Sequence, residues 1–179
     1  MKWIGIIAAA AYIGTVWAAN YAVSHWGIVG VGFGLSAPAG VYFVGLAFTL
    51  RDIVHRVYGR YVVIGAIIAG ALLSYWLGAG ATIPGGKVSL ALASGLAFLF
   101  SETADLSVYE PLRKRGWLPA VAASNVVGLV IDSALFLWLA FGSLALFWGQ
   151  CIGKAWMTVL AIAVLYALRK IPARKLALA

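Results

Sequence analysis

The sequence predicts an all-α membrane protein, a six-transmembrane-helix bundle with cytoplasmic N- and C-termini, and three observations point there. Hydrophobic residues fill 64% of the 179 positions and charged residues only 10%, against roughly 25% charged in a soluble domain. The apolar residues gather into six runs, each close to the about 20 residues that a spanning helix takes. The lysines and arginines then fall largely on one side of those runs. A soluble globular domain and a disordered chain are excluded by the composition. A disulfide scaffold is excluded by the single cysteine, Cys151. The expectation is one integral membrane domain over residues 1–179.

The first run, Trp3 to Val23, carries small residues at Ala10, Gly14, Ala18 and Ala22. A ladder of small residues lets helix backbones approach, so it reads as a packing seam. We read the run as a span and not as a cleaved secretory signal, because five more apolar runs follow it. Gly27, Gly30, Gly32 and Gly34, with Pro38 and Gly40, match no phosphate-binding fingerprint. They read as an irregular, re-entrant entry to the second run, Val41 to Val57, and such backbone is tolerated at membrane depth only beside protein or a water-filled cavity. The third run, Tyr61 to Gly80, has its own ladder at Ala66, Gly70, Ser74 and Gly78. The remaining runs are Val88 to Tyr109, Leu118 to Phe141 and Leu144 to Leu168. All six are expected to be helical, since only helices and closed barrels satisfy their backbone in lipid and no alternation of period two is read.

With a cytoplasmic N-terminus, the inner set is Lys2, Arg51, Arg56, Arg60, Arg113, Lys114, Arg115, Arg169, Lys170, Arg174 and Lys175. Lys87 alone is outside and Lys154 lies within a run. That asymmetry is the positive-inside signal. It accounts for the net charge of +8 without nucleic acid as a partner. The expected location is the cytoplasmic membrane of a bacterium, with several passes.

The informative residues are the few ionisable ones inside apolar runs, each of which costs about 2.5–3.5 kcal/mol at mid-helix on insertion scales. Glu102, Asp105 and Tyr109 are spaced three and four apart and line one helix face, which continues to Phe98. Asn125 and Asp132, seven apart, are expected to share a face with Gly128 between them. Gln150 and Lys154 are four apart, with Thr158 one turn on. At a rise of about 1.5 Å per residue, Lys154 lies about 15 Å from the outer end of its run and Asp132 about 21 Å from the inner end of its own. Glu102 lies about 12 Å above Glu110 and Asn125 about 10 Å above Leu118. The set outlines a cavity reaching from the midplane toward the cytoplasm.

A purely structural role is the competing reading, with Lys154 paired to Asp132 or Glu102 to hold helices together. The charge count favours function: three carboxylates face one lysine. At least one carboxylate is then protonated, paired with a basic residue at the inner end, or awaiting a cation or donor-rich ligand. At the inner end of the second run, Arg51, Asp52, His55, Arg56 and Tyr58 form a polar helical turn, which reads equally as a solvated basic end. His25 and Trp26 read as an interfacial belt. Two distant histidines and one cysteine offer no metal-ligand cluster.

The block Ser101-Glu102-Thr103-Ala104-Asp105 through Val108-Tyr109-Glu110, the basic Arg113-Lys114-Arg115, Ser124-Asn125, Asp132-Ser133 with Phe136, and Gly153-Lys154 resembles the queuosine-precursor transporters, also called the vitamin uptake transporter (VUT) family. Asp52 followed by Tyr58-Gly59 is similar to the family's Asp and Tyr-Gly pair. The resemblance runs from about Pro38 to Lys170. It departs at His55 and Arg56, where the family carries an acidic residue before the Tyr-Gly pair.

The resemblance implies a six-helix importer, without enzymatic activity or cofactor, for the 7-deazaguanine bases preQ0 and preQ1. A guanine-like edge offers neighbouring N–H donors to a carboxylate, and acceptors that Asn, Gln or Lys can answer. Glu102 or Asp105 would take the donor edge; Asn125, Gln150 and Lys154 are candidates for the acceptor edge. Tyr109, Phe98, Tyr42 or Trp156 would stack on the ring. Asp132, Lys154 and Asp52 are candidates for a charge pair or ion coupling. No nucleotide-binding motif is read, so energy would come from an ion gradient or metabolic trapping. The alternatives are a substrate-binding membrane subunit served by a separate ATPase, and a lipid-modifying membrane enzyme built on the carboxylates. A homodimer is left open.

Overall fold

The computed structural model describes residues 2–76, 83, 85–112, 114 and 117–169, excluding the helical side chains of 2–4, 52, 53, 56, 74, 106, 110, 117–122, 161, 162 and 164–169. The side chains of Asp52, Arg56 and Glu110, and residues Gly78, Gly80, Arg113, Arg115, Lys170, Arg174 and Lys175, therefore lie outside the described set. Among the described residues there are six helices: α1 (Lys2–Trp26), α2 (Val41–Tyr58), α3 (Arg60–Ser74), α4 (Leu90–Leu112), α5 (Trp117–Phe141) and α6 (Phe147–Arg169). Three contain stretches long and apolar enough to cross a membrane, at Gly5–Trp26, Leu90–Tyr109 and Ala123–Phe141. Val41–Arg51 and Arg60–Leu73 are shorter apolar stretches.

Between α1 and α2 the structure corrects the all-helical expectation. Strands β1 (Ile28–Gly32) and β2 (Leu35–Pro38) pair antiparallel in a hairpin. Its two turn residues, Phe33 and Gly34, have φ of 55° and 72°, as a type I′ turn requires. The register shifts between Gly30 and Gly32, a bulge that leaves Val31 buried. Val29-Gly30-Val31-Gly32 does alternate with period two, over a stretch too short and glycine-rich to stand out. The hairpin lies along α6: Trp156 Nε1 donates to the Val31 carbonyl at 3.1 Å, and Phe33 stacks on Trp156 with centroids 6.1 Å apart. Trp156 is about 13 Å along the axis of α6 from its first residue.

The helices pack as α1 on α2 and α3, α2 on α6, and α4 on α5. One apolar core joins Tyr12 and Val16 of α1, Val54 of α2, Ile67 of α3 and Phe98 of α4. A second joins Val23 of α1 with Leu90, Ala93 and Ala97 of α4 and Phe136 and Leu137 of α5. Many exposed side chains are large and apolar, among them Ile7, Leu72, Phe100, Val126 and Val159, as lipid contact demands.

The small-residue ladders divide. In α3, Gly70 lies against α1, where an added Cβ would come within 2.8 Å of Val16 Cβ. In α1, Gly14 faces open space and Ala10 is exposed, while Ala22 is fully buried, so that ladder packs only toward its C-terminal end. The tightest helix crossing that matters for the site is at Gly45 of α2. A Cβ there would meet Met157 Cβ at 2.6 Å and the Lys154 carbonyl oxygen at 2.9 Å. Neither atom is the tip of a flexible chain, so α2 and α6 would have to separate. We expect Gly45→Val to lower the thermal unfolding midpoint in detergent by about 5 °C or more, with Gly14→Ala as the tolerated comparison. An equal response in both variants would show that the Gly45 crossing does not hold α2 on α6.

Candidate functional site

Twelve buried polar or charged residues fall among the described residues, including Arg51, Glu102, Asp105, Asp132, Gln150 and Lys154. The charged ones among them form two clusters at different levels of the bundle.

The first lies between α5 and α6. Lys154 has no exposed surface, and an ammonium there must place its protons on protein acceptors. Nζ donates to Asp132 Oδ2 at 2.5 Å and to Ser133 Oγ at 2.8 Å. Asp132 and Ser133 are consecutive on α5, so a single turn supplies both acceptors. Thr158 Oγ1 donates back to the Lys154 carbonyl at 3.0 Å. Gln150, one turn before Lys154, is buried with Oε1 unpartnered.

The second cluster lies between α2 and α4. Arg51 donates from Nη1 to Glu102 Oε2 at 2.7 Å, and both side chains are 5% exposed or less. Glu102 Oε1 has no hydrogen-bond partner, and His55 Nδ1 stands 4.0 Å from it. Asp105, one turn along α4, is buried with Oδ1 unpartnered. It faces α5 across Gly128, where an added Cβ would sit 3.5 Å from Asp105 Cβ. Phe48 of α2 underlies the Arg51 guanidinium, with Cζ 5.5 Å from the ring centroid. Phe98 meets Phe48 at 6.0 Å and Tyr12 at 6.4 Å, both edge-on.

The residues expected from the sequence therefore separate. Glu102, Asp105 and Phe98 come together, with Tyr109 half-buried one turn below Asp105. Lys154 and Asp132 form the other centre, with Gln150 nearby. Asn125 is not part of either: it is exposed, because the buried arc of α5 at that level is centred on Ser124 and Gly128. Tyr42 donates its hydroxyl to the Gly30 carbonyl at 3.1 Å, and Trp156 donates to Val31. Both are thus committed to the hairpin rather than to the carboxylates.

Three participants were missed. Arg51 was counted as topological charge although it lies inside the second run. Phe48 stands three residues before it. Asn20 of α1 accepts a 2.5 Å hydrogen bond from Ser94 of α4 at Oδ1, while its Nδ2 is unpartnered. A lone amide within the first apolar run was the available signal.

The two ion pairs answer the charge excess, leaving Asp105 as the buried carboxylate with no cationic partner among the described residues. Removing one member of a buried pair strands a charge and destabilises by about 3–5 kcal/mol, whereas replacing both with apolar groups is often close to neutral. We expect Asp132→Leu or Lys154→Met alone to lower stability by that order, and the double variant to recover most of it. Additive losses in chemical unfolding would show that the two groups are not coupled.

Comparison with known proteins places this geometry in context. A family model described as "Putative vitamin uptake transporter" matches residues 38–168. That stretch begins before α2 and takes in every member of both charge clusters. No curated protein and no solved structure matches the chain. With apolar helices of spanning length and a match over most of its sequence, the chain belongs to the vitamin uptake transporter family and is a multi-pass membrane protein.

Proposed function

We propose that the chain imports queuosine precursors, the 7-deazaguanine bases preQ0 and preQ1, into the bacterial cytoplasm. In this reading all six helices span the cytoplasmic membrane with both termini inside, and the chain works as a carrier without enzymatic activity. Transport is driven by an ion gradient or by metabolic trapping of the base.

One observation carries the reading. Glu102 Oε1 and Asp105 Oδ1 are buried acceptors without partners, three residues apart on one face of α4. A buried, unsatisfied acceptor is costly unless something donates to it. Two of them on one helix face, with the Phe48 ring beneath the Arg51 that pairs with Glu102, suit a flat ligand rich in N–H donors. One of the two carboxylates takes the donor edge of such a base, and the Phe48 ring covers an apolar face of it. Lys154 already donates to Asp132 and Ser133 and serves better as a fixed charge pair than as a ligand.

The test is the queuosine content of tRNA in a host that neither makes nor imports deazaguanines, supplied with limiting preQ0 or preQ1. Wild type is expected to restore queuosine, and an equally expressed Glu102→Gln variant to lower uptake at least about tenfold. Restoration by this chain alone sets aside the subunit that needs a separate ATPase. No restoration with either base, despite confirmed insertion, overturns the reading.

A further inference from the structure

The setting of Arg51 supports an inference that deepens the import reading and rests on it. The guanidinium occupies a slot with the Phe48 ring on one side and the Glu102 carboxylate at its edge. A guanidinium is planar and presents parallel N–H donors to a carboxylate. The amino-pyrimidinone edge of a guanine-like base is planar too, with its ring N–H and exocyclic amino group side by side. Toward one carboxylate the two groups are chemical equivalents.

Arg51 uses only half of what Glu102 offers. Its bond to Glu102 goes to Oε2, while Oε1 stays buried and without a partner. A ligand with two adjacent donors would satisfy both oxygens, and paired charge-assisted hydrogen bonds are stronger than one. We propose that Arg51 is a displaceable placeholder in the substrate site. The incoming base takes the place of its guanidinium against Glu102 and Phe48, and so releases α2 from α4.

Displacement has a destination and a consequence. Asp105, one turn along α4 with Oδ1 unpartnered, is a carboxylate to which the released guanidinium can turn. The Arg51–Glu102 pair, with the Phe48–Phe98 contact, ties two helices whose main packing is elsewhere, α2 on α1 and α6, and α4 on α5. A base that reaches Glu102 only after Arg51 leaves binds the released arrangement more tightly than the tied one. That difference in affinity is the condition for a ligand to drive a conformational change. Selectivity follows from the same exchange, since a base lacking two adjacent donors leaves Glu102 worse satisfied than Arg51 does.

The experiment is equilibrium binding of preQ1 and preQ0 to the purified full chain in lipid nanodiscs, comparing wild type with Arg51→Ala and Arg51→Lys. Removing the competitor is expected to tighten binding about tenfold in Arg51→Ala. Millimolar guanidinium chloride, against sodium chloride of equal ionic strength, is expected to reverse that gain and to leave wild type unchanged. Arg51→Lys keeps the charge without the planar fork and is expected to fall between the two, which serves if the alanine variant does not fold. Equal or weaker binding in the folded variants would overturn the placeholder and make Arg51 a ligand or a structural tie. Wild type and variants that are all monodisperse and bind neither base would instead overturn the import reading, and the placeholder with it.

Discussion

A charge taken into a bilayer must find its counter-charge on a neighbouring helix, and Lys154 is where that constraint acts most severely. Its ammonium has no exposed surface, and its recorded acceptors are Asp132 and Ser133 on one turn of α5. This fixes α6 against α5. The remaining contacts follow around a ring of four helices. α5 packs on α4 across Gly128, and α6 receives α2 at Gly45, where no side chain could be admitted. The seated α2 then carries Arg51 to Glu102 on α4, which closes the ring. One side of it is held by close backbone approach at Gly45, one by the packing of α4 on α5, and two by ion pairs.

The two ion pairs are not equivalent. Asp132 and Lys154 form the better satisfied centre: the lysine gives two hydrogen bonds, to a carboxylate and a hydroxyl from adjacent residues. Such a pair resists change because opening it strands both charges. Arg51 and Glu102 form an incomplete one, with a carboxylate oxygen unused, a histidine nitrogen 4.0 Å away, and a second carboxylate unpartnered one turn along. Burial makes that incompleteness expensive. A membrane protein that retains it has room for a ligand to improve the site, and the family to which the chain belongs is one of uptake.

Much of the helical plan was legible in the sequence because apolar run length and the distribution of lysine and arginine answer directly to the bilayer. The Glu102–Asp105 stripe was legible because three-and-four spacing needs no tertiary information. Arg51 was misread for a physical reason: an arginine near the end of a run satisfies the positive-inside pattern whether it faces water or turns inward, and only α4 decides which. Asn125 failed in the opposite direction. Its seven-residue spacing from Asp132 puts the two on one geometric face, but the arc of α5 that its neighbours cover changes along the axis, and Ser124 takes the buried place. The hairpin escaped notice because its alternation lasts four residues and half of them are glycine.

The hairpin also decides which aromatic residues are free to meet a ligand. Strand carbonyls beside apolar helices require donors, and at Gly30 and Val31 they receive them from Tyr42 and Trp156. Trp156 further stacks on Phe33 at the turn. Two of the four rings expected to stack on a planar base are thereby spent on securing the hairpin to α2 and α6. Phe98 is edge-on to both Tyr12 and Phe48, which leaves the face of Phe48 as the flat apolar surface beside the carboxylates. That face is the one Arg51 covers. For the flat base of the proposed import, the demands of the backbone in one part of the bundle thus favour the place where a flat cation already lies.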